Sequence, residues 1–115
     1  MKKNTGLLCA FVFMAAICLC SQPSFGQESI PTGKDIFVGE KCDRCHSIAS
    51  LNIKHTGPKE ISDLSNVGSR FSEEFLIKYL NREETINGKK HLKNLKSEGA
   101  DIETLSRWLA TLKGK

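Results

Sequence analysis

The sequence predicts a small all-α domain. Three stretches place apolar residues at helical spacing, Gly33 to Lys41, Ser72 to Asn81 and Ala100 to Lys113. No convincing strand or internal repeat lies between them. Size is the third observation, since one short chain of 115 residues allows a single small core to which a bound group would contribute much of the interior.

The chain begins with Lys2 and Lys3, followed by the apolar run Gly6 to Cys20 and the small-x-small triplet Ser24-Phe25-Gly26. A positive start, an apolar stretch of about 15 residues and such a triplet are the parts of a secretory signal peptide. Residues 1–26 are therefore read as the signal and residues 27–115 as the domain. The run falls short of the ~20 apolar residues of a spanning helix, which favours cleavage over an anchor. Lipid attachment at Cys20 is disfavoured by the bulky Leu19 before it. Export places the domain in the periplasm or an equivalent extracytoplasmic compartment. Of the five cysteines, Cys9, Cys18 and Cys20 leave with the signal, so Cys42 and Cys45 are all that remain and there is no disulfide framework.

Gln27 to Thr32 is a polar leader containing Pro31. Gly33, Ile36 and Phe37 then share a helical repeat, predicting a short amphipathic helix that runs toward Cys42. Ser47 to Ser65 contains His55, Gly57 and Pro58 without periodicity and reads as a wrapping loop. Ser72 is the expected cap of a second helix ending near Asn81, with Glu73 and Glu74 favourably placed at its positive end. Its apolar residues are Phe75, Leu76, Tyr79 and Leu80. Arg82 to Glu98 is lysine-rich, broken by Asn87-Gly88, and holds His91. Ile102, Leu105, Leu109 and Leu112 form the stripe of the last helix, with Trp108 beside it.

Between the first helix and the first loop stands Cys42-Asp43-Arg44-Cys45-His46. Two thiols at this spacing can bond to the two vinyl groups of one haem, and the adjacent imidazole can ligate its iron, so C-x-x-C-H reads as a c-type haem attachment site. One covalent haem c per chain follows, with Cys42 and Cys45 as the attachment points and His46 as an axial ligand. A redox dithiol would want a βαβ context, and this motif follows a helix. A zinc site drawn from Cys42, Cys45, His55 and His91 has spacings unlike a compact finger.

Gly33-Lys34-Asp35-Ile36-Phe37, the C-x-x-C-H motif, Gly57-Pro58 and Leu105-Ser106-Arg107-Trp108-Leu109 together resemble the class I monohaem cytochromes c over nearly the whole domain. The resemblance implies first and last helices crossing around one covalent haem, with Gly33 and Phe37 against Leu105 and Trp108. It also implies that the Pro58 carbonyl accepts the free ring N–H of His46, orienting the ring and strengthening it as a donor.

The sixth ligand of that family is usually a methionine before the last helix. The two methionines here, Met1 and Met14, lie in the signal, and His91 stands at the corresponding place. His46 and His91 are thus the expected axial pair, which lowers the reduction potential relative to histidine–methionine ligation. Lysine ligation by Lys89 or Lys90, or a five-coordinate iron, are the alternatives, and His55 is expected on the proximal side. Lys89, Lys90, Lys93 and Lys96 crowd the distal loop, either as a solvated face or as a docking patch for an acidic redox protein. With 17 basic and 13 acidic residues, two of the basic ones in the signal, overall charge does not suggest nucleic-acid binding. The functional expectation is a non-enzymatic electron carrier. Its rivals are a haem protein that binds small molecules at an open or displaceable distal position, and a haem subunit of a larger respiratory complex.

Overall fold

Thr32 starts the first helix. Its hydroxyl accepts from the Asp35 amide at 3.2 Å while the Asp35 carboxylate accepts from the Thr32 amide at 2.8 Å, so two otherwise unpartnered amides satisfy each other's residue. The computed structural model describes residues 29–114. Along them run α1 (Gly33–Gly39), a 3-10 turn (Cys42–Arg44), β1 (His46–Ser47) and a second 3-10 turn (Ala49–Leu51). β2 (Ser62–Asp63), α2 (Val67–Arg70), α3 (Glu73–Leu80) and α4 (Gly99–Ala110) follow. The segment read as a signal peptide, residues 1–26, lies outside the described residues. Among the described residues no helix is long and apolar enough to cross a membrane.

β1 and β2 pair in parallel, His46 opposite Ser62 and Ser47 opposite Asp63. This pairing overturns the all-α class I cytochrome c fold predicted from the sequence: the described residues form a mixed α/β chain of four helices and one two-stranded parallel sheet. Two-residue strands are too short to show period-two alternation, and parallel pairing joins segments separated by a long crossover. No local pattern could report it. The pairing gives backbone groups of the loop their partners, and Ile48, which follows β1, is fully buried.

The helices gather around α4, which packs on α1 and α3 and also meets α2. Ile102, Leu105 and Leu109 of α4 join Ile36 and Phe37 of α1, Leu76 and Leu80 of α3, and Leu112 in one apolar core. α1 and α4 approach closely because Gly33 carries no side chain: a Cβ there would lie 2.2 Å from Trp108 Cβ. Phe37 meets the Trp108 ring edge-on at 5.8 Å. α3 starts at Ser72, whose hydroxyl accepts from the Phe75 amide at 3.2 Å. α2 has no counterpart in the sequence reading. It exists through contacts with the far end of the chain, as the Gly68 amide donates to the Leu112 carbonyl at 2.8 Å.

Candidate functional site

Glu40 caps the C-terminal end of α1, and Lys41 follows with φ of 57°, a left-handed residue that turns the chain sharply into the Cys42–Arg44 turn. The Cys45 amide donates to the Cys42 carbonyl at 3.1 Å, closing that turn, and both cysteines line one cavity. Gly57 lies directly against the turn. A Cβ at Gly57 would fall 2.0 Å from the Arg44 carbonyl oxygen, while the Thr56 amide donates to the Asp43 carbonyl at 2.8 Å.

His46 opens β1, and the sheet that the sequence did not foretell is what positions it. The Ile61 amide donates to the Cys45 carbonyl at 2.7 Å and the Leu64 amide to the Ser47 carbonyl at 2.8 Å. These bonds bring the Ser62 carbonyl to 3.1 Å from His46 Nδ1, with the Ser62 hydroxyl at 3.0 Å. A carbonyl can only accept, so Nδ1 carries the proton and Nε2 is left with its lone pair. The residue orienting His46 is thus Ser62 and not Pro58. Parallel pairing carries the chain past the proline before it meets the imidazole, which corrects the role assigned by resemblance.

His91 is held in the same way. Its Nδ1 donates to the Lys93 carbonyl at 2.9 Å, again leaving Nε2 free. The Asn87-Gly88 turn before it has φ of 51° and 74°, and the Ile86 and Lys89 amides exchange hydrogen bonds across it at 2.9 and 3.0 Å. Tyr79 lies edge-on to the His91 ring at 5.5 Å.

The two imidazoles lie with centroids 6.4 Å apart and planes inclined by 19°. A metal–imidazole bond of about 2.0–2.1 Å, added on each side to roughly 1.1 Å from nitrogen to ring centre, separates the centroids of two ligands on opposite sides of one metal by about 6.3 Å. The pair stands at that spacing. Around it are two adjoining cavities of about 540 and 470 Å³, which share Cys42, His46, Ile61, Tyr79 and His91 as walls. The first reaches the apolar interior at Phe37, Leu105 and Leu109, and the second opens past Cys45 to Lys41, Lys89 and Lys90. An apolar cleft with a thiol-bearing turn at its wall and an imidazole pair across it suits a flat, mostly apolar tetrapyrrole. The residues present therefore fit a haem.

Electrostatics agree with that chemistry. Burial pushes His46 below the ordinary histidine value, and neighbouring His91 adds to the effect, against the opposing Ser62 carbonyl. The neutral imidazole that results is the metal-binding form. Burial likewise raises the Cys42 thiol to about 11, so it is not an activated thiolate of the dithiol-exchange kind.

Cys42, Cys45, His46 and His91 all border the cleft, whereas His55 does not. It sits 3.7 Å from the Glu60 carboxylate in a separate hollow shared with Ser47 and Asn52. Among the described residues no three of His, Cys, Asp or Glu gather into a bare metal site. Of the four distal lysines, Lys89, Lys90 and Lys96 are exposed, but the Lys93 ammonium pairs with Glu40 at 3.3 Å. Sequence reasoning missed Ser62, which has no local signal, and Tyr79 as a neighbour of His91, although Phe71, Phe75 and Tyr79 at four-residue steps foretell a stacked aromatic row. No family model matches the chain, nor does any curated protein or solved structure.

Proposed function

We propose that this chain is a c-type cytochrome, akin to the class I monohaem family by sequence resemblance but with histidine in place of the distal methionine. It carries single electrons outside the cytoplasm and performs no substrate chemistry of its own. Cys42 and Cys45 would hold the haem covalently, and His46 and His91 would ligate its iron. The observation that carries this reading is the near-parallel imidazole pair with centroids 6.4 Å apart, each ring's Nδ1 engaged by a backbone carbonyl, at a cleft bordered by both cysteines.

A haem held there would supply a one-electron ferric–ferrous couple. The protein's part is to keep both ligands in place in either state, so that little rearrangement accompanies transfer. Ser62 and Lys93 fix the imidazole tautomers, while Phe37, Leu105 and Leu109 exclude water from the inner end of the cleft. Lys89, Lys90 and Lys96 give the open end a positive rim for an acidic redox protein.

The test is protein matured in an exporting, haem-attaching host. Its mass should equal Gln27 to Lys115 plus one haem, and acidified organic solvent should fail to extract the haem. Low-temperature electron paramagnetic resonance with near-infrared dichroism should show bis-histidine low-spin ferric iron. A high-spin ferric form, or stoichiometric and rapid carbon monoxide binding on reduction, would instead favour a ligand-binding haem protein.

A further inference from the structure

Glu40, the residue that caps the C-terminal end of α1, is only 9% exposed, and the partners of its carboxylate all come from the segment that follows His91. Its carboxylate pairs with Lys93 Nζ at 3.3 Å, accepts from the Ser97 hydroxyl, and accepts from the Lys96 amide at 3.4 Å. Its backbone carbonyl also accepts from Lys93 Nζ. Lys93 is a bridge, because its own carbonyl is the acceptor for His91 Nδ1–H at 2.9 Å. The side chain of one residue thus ties the distal loop to α1, and its main chain orients the distal imidazole.

This arrangement is more than surface pairing. A carboxylate with so little water is costly unless several donors replace the lost hydration, and here an ammonium, a hydroxyl and an amide do so. All three donors lie more than fifty positions from Glu40 in sequence, so the contacts close the loop over the cleft. Glu40 also stands just ahead of Lys41, the left-handed residue that delivers Cys42. One residue therefore couples the turn bearing the attachment cysteines to the loop bearing His91.

We propose that Glu40 is a positioning residue for the distal ligand, fastening the 91–97 segment to the end of α1 and thereby keeping His91 in place against competing small ligands. The proposal rests on the bis-histidine haem reading. For a small molecule to take the place of His91, the loop must lift locally, and the Glu40 contacts set how often it does so. His46 is held by the sheet and lies outside this control.

The experiment compares the haem-loaded wild type with Glu40→Ala, Glu40→Gln, Ser97→Ala and Lys93→Met. Four quantities are measured: the carbon monoxide association rate of the reduced form, the ferric spin state, amide hydrogen exchange, and the denaturant unfolding midpoint. The association rate should rise about tenfold in Glu40→Ala, as expected for loss of charge-assisted hydrogen bonds from a local opening equilibrium, and less in the other three. Exchange should quicken across residues 91–97 while the Ile61 and Leu64 amides beside His46 stay protected. If Glu40→Ala fails to mature, the two loop-side variants decide by the same criterion. An association rate within about twofold of wild type in variants whose unfolding midpoint has fallen would make Glu40 a structural residue only and overturn the proposal. Uniformly faster exchange would do the same. A wild type that is already high-spin removes the His91 ligation itself, whereas a low-spin wild type with unresponsive variants removes only the role of Glu40.

Discussion

On the proposed haem reading, His91 is the residue that sets the redox character. Replacing it with methionine should raise the midpoint potential, because thioether ligation favours the ferrous state relative to imidazole. His91→Ala should yield a high-spin or water-ligated ferric form and fast carbon monoxide binding on reduction. His55→Ala, at a side chain turned toward Glu60, should leave the iron low-spin and the potential nearly unchanged. An optical and electrochemical titration of the three variants checks the set, and a silent His91→Ala would sink the assignment. Ring orientation is a separate property of the same residue. Near-parallel imidazole planes, here 19° apart, give a rhombic low-spin resonance signal. Tyr79→Leu removes the edge-on ring beside His91 and should move the g-values while the iron stays low-spin. Unchanged g-values would show that the Lys93 carbonyl alone orients the ring.

Among the elements, α1 contains a built-in contrast between two glycines. Gly33 has no room for a methyl group, whose carbon would lie 2.2 Å from Trp108 Cβ, so Gly33→Ala should destabilise the domain by about 1–3 kcal/mol through overpacking. Gly39 has nothing within 4 Å of the corresponding position, and Gly39→Ala should stabilise by about 0.5–1 kcal/mol. Trp108→Ala, which removes the ring against Phe37, should cost about 3 kcal/mol, the low end for a large aromatic because Trp108 is only partly buried. Denaturant unfolding of the haem-loaded variants measures all three, and equal effects at the two glycines would refute the close approach of α1 and α4. The three longer helices were legible because each carries its own apolar stripe, and α3 carries its own cap. α2 and the sheet were not: Val67–Arg70 depends on Leu112, and Ser62 depends on His46, partners that no local window contains.

For the whole molecule, charge governs two measurable responses. The Ser97 hydroxyl foremost, then Lys93 and Lys96, hold the Glu40 carboxyl below its ordinary value of 4.5 against the opposing effect of burial. A depressed folded value means that the stabilisation is complete well above 4.5, declines as the pH falls through that value, and is gone below the folded one. The stability gap between wild type and Glu40→Gln should therefore be constant near neutrality and close in acid, and a gap that persists in acid would contradict it. The second response is kinetic. Electron-transfer rates with an acidic partner should fall with ionic strength, and this dependence should weaken in Lys89→Gln, Lys90→Gln and Lys96→Gln. Lys93→Gln should differ from these by loosening the distal loop, since its ammonium is committed to Glu40. A flat salt response in wild type would remove the docking role.

The sequence by itself supplied the motif on which the proposed attachment rests, because C-x-x-C-H is local: its two thiols and imidazole lie on and just after one short turn. It also determined three helices, whose 3.6-residue stripes are written in adjacent residues. The tertiary structure alone decided that the chain is mixed α/β, that Ser62 and not Pro58 orients His46, and that Glu40 and Lys93 secure the loop of His91. Each of these depends on at least one contact between residues far apart in the chain. Such contacts leave no periodic trace in the sequence, and they depend on the packing of α1 against α4.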